Sequence, residues 1–128
     1  MSKKKILVVD DEKLIVQMYK TLIEDEFPEC VVDAAFDGLE AYDCAIHKKY
    51  DLIITDHKMP FMTGFELIRG LREKKSINMK TPVIFISAYL PDFEKEAELF
   101  DDVYLMSKPA DMDRLLTYLK ISTHSKPN

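Results

Sequence analysis

Asp10, Asp11, Asp56, Ser87 and Lys108 are the residues of this sequence whose types, taken together, could do chemistry. Each stands at or just beyond the end of a short apolar run. Asp10-Asp11-Glu12 follows Ile6-Leu7-Val8-Val9, Asp56 follows Leu52-Ile53-Ile54-Thr55, Ser87 follows Val83-Ile84-Phe85-Ile86, and Lys108 comes shortly after Val103-Tyr104-Leu105-Met106. Carboxylates crowded together repel one another, so without a cation at least one of them should have a raised pKa. A hard divalent ion resolves that conflict, and Mg²⁺ suits one or two carboxylates plus waters and a phosphoryl oxygen. An ammonium beside the cluster can neutralise phosphoryl oxygens, and a hydroxyl can donate to one of them. Asp56 could then attack phosphorus in line to form an acyl phosphate. Taken singly, each aspartate reads as a cap or turn residue, and Lys108-Pro109 as a turn before a helix. The weight lies in the set, spread over four different loops.

Something must bring those loops together. Lys5-Ile6-Leu7-Val8-Val9 is a continuous apolar run, the pattern of a strand covered on both faces. Leu14, Met18 and Leu22, with Ile15 beside them, recur at helical spacing, and Pro28 marks the stop. Residues 30–36 suit a second strand. Asp37-Gly38-Leu39-Glu40 then resembles a capping box opening a helix with Leu39, Tyr42 and Ile46 on one face. Residues 51–55 suit a third strand, and Thr63-Gly64-Phe65-Glu66 caps a third helix carrying Phe65, Ile68 and Leu71. Residues 82–86 suit a fourth strand, and Phe93, Ala97 and Phe100 a short fourth helix. Residues 103–106 suit a fifth strand, and Met112, Leu115, Leu116 and Leu119 stripe a final helix. Strand then helix, repeated, predicts an α/β fold: a doubly wound five-stranded parallel sheet with five helices. Function in such sheets gathers at the carboxyl edge of the strands. In the flavodoxin-like order 2-1-3-4-5, the strands bearing the five residues are neighbours.

A net charge of −5 argues against nucleic-acid binding by phosphate neutralisation, and Lys3, Lys4 and Lys5 read as solvated terminal lysines. No apolar run approaches the roughly 18 residues of a membrane span, and the N-terminus has no signal-peptide pattern. A cytoplasmic setting is therefore expected. Cys30 and Cys44 match no metal or redox spacing and read as free, packed thiols, with a disulfide the lesser alternative. His47, His57 and His124 are not at ligand spacing.

Val8-Val9-Asp10-Asp11-Glu12 resembles the acidic opening of response-regulator receiver domains. Asp56-His57-Lys58-Met59-Pro60-Phe61-Met62-Thr63-Gly64 resembles that family's phosphoacceptor segment, Ile86-Ser87-Ala88 its hydroxyl-plus-small motif, and Lys108-Pro109 its Lys-Pro pair. The similarity runs from Lys5 to about Lys120. It implies Asp56 as phosphoacceptor, with Asp11 and Asp56 as direct Mg²⁺ ligands and Asp10 as a water-mediated one. The Lys58 backbone carbonyl would complete the protein's share. Ser87 and the Ala88 amide would hold the phosphoryl group, and Lys108 would pair with it. A sensor histidine kinase or phosphotransfer protein would supply the group from a phosphohistidine, and a downstream protein would read the result. Residues 1–121 would form the receiver and 122–128 a polar tail. The chain would promote its own phosphorylation and dephosphorylation without turning over a separate substrate, and Lys58 and Tyr89 would flank the approach of the hydrolytic water.

The family usually has Tyr or Phe three residues before the lysine. Here that position is Leu105, with Tyr104 one residue earlier, so the readout is expected to rest on the loop at 88–92, the fourth helix and the fifth strand. Two rivals share parts of the pattern. A flavodoxin-type FMN site would suffer repulsion between Asp10-Asp11-Glu12 and the flavin phosphate. A haloacid-dehalogenase-like phosphatase would need Asp-x-Asp after the first strand, where this chain has Asp-Asp-Glu. A degenerate receiver that only binds proteins would lack one of the chemical residues, and none is missing.

Overall fold

The computed structural model describes residues 4–73, 75–88, 95, 98–108 and 112–124, excepting the side chains of residues 112 and 121–124. Five parallel strands form one sheet in the order β2-β1-β3-β4-β5. They are β1 (Lys4–Val9), β2 (Cys30–Ala35), β3 (Leu52–Asp56), β4 (Val83–Ser87) and β5 (Val103–Ser107). Helices α1 (Lys13–Glu26), α2 (Gly38–His47) and α3 (Gly64–Leu71) follow the first three strands, and α4 (Met112–His124) follows the last. The predicted helix through Phe93 and Ala97 lies outside the described residues, as do Tyr89, Asp92 and Pro109.

Strand side chains alternate between two cores. Ile6, Val8, Ile54, Ile84, Ile86 and Met106 face α1 and α4. Leu7, Val9, Ile53, Val83 and Phe85 face α2 and α3. Burial on both sides is the reason β3 and β4 read as unbroken apolar runs, since every residue of each is buried.

Local chemistry sets the helix starts. The Thr63 hydroxyl accepts from the Glu66 N–H at 3.2 Å, and the Glu66 carboxylate accepts from the Thr63 N–H at 2.9 Å, a complete capping box. Asp37 accepts from the Glu40 N–H at 2.7 Å, but Glu40 reaches one residue further back, to the Phe36 N–H at 2.9 Å. Phe65, Ile68 and Leu71 are buried as expected, and so are Leu115 and Leu119.

Two helices turn the other way from the stripes that announced them. On α1, Leu14 is 80% exposed and Met18 45%, while Val16, Tyr19 and Ile23 are buried. On α2, Leu39 and Ile46 are exposed, Ala41 and Ala45 meet the sheet, and Gly38 lies against Met62. Small residues let α2 lie close to the strands, whereas a large stripe in that position would hold it away.

At the amino end of the sheet, buried Asn78 ties three segments together, donating to the carbonyls of Ala45 and Lys48 and accepting from the Tyr50 N–H and the Thr81 hydroxyl. Arg72 donates to the carbonyls of Asn78, Thr81 and Asp101, fastening the segments that lead into β4 and β5. Cys30 and Cys44 are free thiols, one buried and the other half-buried.

Candidate functional site

The carboxyl ends of β1, β3, β4 and β5 lie side by side, because these strands are neighbours in the sheet. Asp56, last residue of β3, is level with Ile86, so Ser87 comes one residue further along the adjacent strand. The Lys108 N–H donates to the Ser87 carbonyl at 2.9 Å, and the Asp10 N–H donates to the Ala35 carbonyl at 3.2 Å. These bonds hold the ends of the strands in register. Asp10, Asp56 and Ser87 are buried, Asp11 and Ala88 are exposed, and Lys108 is half-buried.

One carboxylate oxygen from each of Asp10, Asp11 and Asp56 lies within 4.8 Å of the others. Lys108 Nζ donates to Asp56 Oδ2 at 2.8 Å and lies 3.6 Å from Asp10 Oδ2. Asp56 Oδ1 accepts from the His57 N–H at 2.7 Å, and Asp10 Oδ1 accepts from the Glu12 N–H at 3.0 Å. The two buried carboxylates are thus each oriented by a backbone amide, a hold that the sequence reading missed. At Asp10 its signal was the Asp-x-Glu turn, in which a side-chain oxygen meets the amide two residues on.

One carboxyl of the cluster is raised, as the sequence suggested, but burial is the larger cause and crowding the smaller one. Burial pushes the Asp10 carboxyl above the usual carboxylate range, and the charge of Asp56 and a bond to Asp11 add to it against the Glu12 amide and Lys108. Burial opposes the charge on Lys108, yet the Asp56 hydrogen bond and the charges of Asp56 and Asp10 outweigh it and hold the ammonium above its ordinary value. Tyr19, on the buried face of α1, stands in the same field, and burial and then Asp10 push its phenol up.

A carboxyl whose pKa is higher folded than unfolded binds more protons in the native state, so stability falls as pH rises from the ordinary carboxylate value through the raised one. In the metal-free protein Asp10→Asn should therefore raise the urea midpoint at neutral pH and weaken divalent-metal binding. An unchanged or lowered midpoint would contradict the penalty on a charged, buried Asp10.

Gly64 is needed for packing. A Cβ there would strike the Asp56 carbonyl oxygen and come within 2.7 Å of Phe85 Cε2 and 2.9 Å of His57 Cα. Its N–H donates to the His57 carbonyl at 2.9 Å, closing the loop that carries Lys58, Met59 and Pro60. Met59 is buried beneath that loop, while Lys58 and Phe61 are exposed and Phe61 adopts a left-handed φ of 69°.

The sequence matches the family model of the response regulator receiver domain over residues 6–120. The chain is a response-regulator receiver. It is 32% identical over 125 residues to the response regulator ArlR of Staphylococcus saprophyticus, covering 96% of this chain and 54% of that protein. It is 31% identical over 121 residues to the transcriptional regulatory protein DltR of Streptococcus agalactiae, covering 93% and 51%. This receiver spans about half the length of these curated relatives. Among solved structures it is similar to the chemotaxis response regulator CheY4 of Vibrio cholerae, at 31% identity and a TM-score of 0.82, covering 94% and 98% of the two chains. It is also similar to TrrA of Thermotoga maritima in complex with Mg(2+)-BeF, at 30% identity and a TM-score of 0.75, covering 93% and 98%. The receiver fold, with strand order 2-1-3-4-5, is the one expected from the sequence.

In this receiver Leu105 is level with Phe85 and packs on the α2–α3 side of the sheet. Tyr104 projects to the opposite side, its ring 5.4 Å from that of Tyr118 on α4. Successive residues of a strand face opposite ways, so Tyr104 cannot stand in for a ring at 105. No helix among the described residues is long and apolar enough to cross a membrane.

Proposed function

We propose that this receiver, a unit spanning residues 1–121, takes a phosphoryl group onto Asp56 from the phosphohistidine of a sensor histidine kinase or phosphotransfer protein. The reading rests on one observation: Lys108 Nζ lies 2.8 Å from Asp56 Oδ2, beside three carboxylates whose oxygens lie within 4.8 Å of one another. That arrangement suits a divalent cation, because the donors are all hard oxygens and their mutual repulsion raises the affinity for positive charge. Asp10, Asp11 and Asp56, with the Lys58 carbonyl, would hold Mg²⁺. Bound there, the ion supplies positive charge to a phosphoryl oxygen and offsets the carboxylate repulsion.

The protein's own residues do the rest. Asp56 is the nucleophile, held between an amide on one oxygen and an ammonium on the other. Lys108 stays protonated through the reaction and neutralises phosphoryl oxygens as they approach. The Ser87 hydroxyl donates to one of them, and small Ala88 leaves them room. The chain turns over no separate substrate and works in the cytoplasm without binding nucleic acid itself. Its output is a change in the surface formed by the loop at 88–92, the predicted helix through Phe93, Ala97 and Phe100, and β5, read by a protein target. Leu105 presents less surface to move than a ring, so Ser87→Ala should alter partner affinity more than Leu105→Ala.

Intact-mass measurement tests the reading. Acetyl phosphate with Mg²⁺ should add one phosphoryl group, and chelation of the metal should prevent it. Lys108→Ala should keep most of its metal affinity yet take up the group about tenfold or more slowly, since a hydrogen bond between charged groups is worth about 1.5–3 kcal/mol. Uptake that ignores the chelator, or an unimpaired Lys108→Ala, would refute it.

A further inference from the structure

We propose that His57 is a positioning residue for Asp56: its ring, seated against Phe65 and Phe85, fixes the backbone N–H that holds Asp56 Oδ1. The inference rests on the proposed role of Asp56 and concerns how that carboxylate is aimed.

Two oxygens of one carboxylate are chemically alike until something distinguishes them. Here Oδ1 accepts from the His57 N–H at 2.7 Å and Oδ2 from Lys108 Nζ at 2.8 Å. Lys108 is a long, flexible chain that can follow a rotating carboxylate. The amide cannot, provided that its own peptide is immobile, so the orientation of Asp56 is set mainly from the His57 side.

The structure immobilises residue 57 at three points. Its carbonyl accepts from the Gly64 N–H at 2.9 Å, and its Cα lies so close to Gly64 that a Cβ there would approach to 2.9 Å. Its ring centroid lies 5.3 Å from that of Phe65 and 5.5 Å from that of Phe85, both tilted. Phe65 and Phe85 are themselves stacked at 4.6 Å and buried, so the seat of the imidazole is rigid. Distances of this size with tilted planes are the favourable arrangement for aromatic pairs. An aromatic ring at 57 thus links the packed core beneath the sheet edge to the amide that aims the nucleophile. Its planar shape is what the seat uses, so phenylalanine should serve there and alanine should not.

A reacting atom displaced by an ångström can cost orders of magnitude in rate, so a loosened amide should be visible kinetically. In His57→Ala the maximal rate of phosphoryl uptake from acetyl phosphate, measured at saturating Mg²⁺, should fall about tenfold. His57→Phe should restore most of the rate. A second readout needs neither donor nor metal. In the metal-free wild-type protein the His57 amide proton should exchange slowly with solvent, and it should shift when Asp56→Asn removes the carboxylate charge. That slow exchange should be lost in His57→Ala and kept in His57→Phe. Rapid exchange of that amide in the wild type, a normal rate in His57→Ala, or a loss in His57→Phe as deep as in His57→Ala would overturn the proposal. Loss of uptake in Asp56→Asn tests the role of Asp56 without touching residue 57, so a failure of the broader reading is distinguishable from a failure of this one.

Discussion

Asp56→Asn is expected to take up no detectable phosphoryl group from acetyl phosphate and Mg²⁺. The amide oxygen carries no full negative charge, so the attacking atom is lost while the shape of the side chain is kept. The same change replaces the charged 2.8 Å partner of Lys108 with a neutral amide and removes one of the three clustered carboxylates, so metal affinity should weaken as well. Asp56→Glu separates charge from geometry. It restores the carboxylate but moves it outward by about one bond, and misplacement of that size costs about a hundredfold or more in rate. The Glu variant should therefore bind metal better than the Asn variant and still be strongly impaired in uptake. Intact mass under identical donor conditions measures both. Undiminished labelling of Asp56→Asn would remove Asp56 from the mechanism, and normal labelling of Asp56→Glu would show that precise aim is unimportant.

The largest effect on stability is expected from Asn78→Ala, at the opposite end of the sheet. Asn78 is fully buried and uses four hydrogen bonds: from its amide to the carbonyls of Ala45 and Lys48 at 2.6 and 2.7 Å, and to its oxygen from the Tyr50 N–H and the Thr81 hydroxyl at 2.8 Å each. Alanine would strand three of the four partners, while the Thr81 hydroxyl keeps the Tyr50 carbonyl as an acceptor at 3.1 Å. A buried polar group left unsatisfied costs about 1–3 kcal/mol, and water entering the vacated space would satisfy part of the set. A net loss of about 3 kcal/mol follows, or a fall of roughly 10 °C in Tm. Urea unfolding should show the lower midpoint with little change in slope. Phosphoryl uptake under folding conditions should be nearly normal, because the network lies at the end of the sheet remote from Asp56. A loss below about 1 kcal/mol would mean that neighbouring groups replace the asparagine's bonds.

Much of the fold was legible because strands and caps are local. Unbroken apolar runs announced strands covered on both faces, and Thr63 with Glu66 closed the capping box its spacing promised. The site was legible for a related reason. In a parallel sheet every strand points the same way, so residues just beyond successive strands gather at one edge whatever the intervening helices do. Asp10, Asp56, Ser87 and Lys108 were placed by chain direction together with the strand order, and the crowding of carboxylates followed from residue types.

What the sequence could not decide is which face of an amphipathic element turns inward. Helix α1 carries two apolar stripes, and the conspicuous one through Leu14 and Met18 faces out, because packing on the sheet selects the face whose shape fits it. On α2 the choice fell on Ala41 and Ala45, residues that hydropathy barely marks. Asn78 looks like any loop asparagine until the end of α2, the start of β3 and the loop before β4 converge on its amide. Tyr104 and Leu105 are adjacent in sequence and lie on opposite sides of the sheet, and packing sets the leucine beside Phe85 and the tyrosine ring beside Tyr118. Composition and local spacing determined the elements, their order and the residues at the chemical edge. Tertiary packing decided inward faces, buried polar partners and the aim of the Asp56 carboxylate, because each depends on groups far apart in the chain meeting at contact distance.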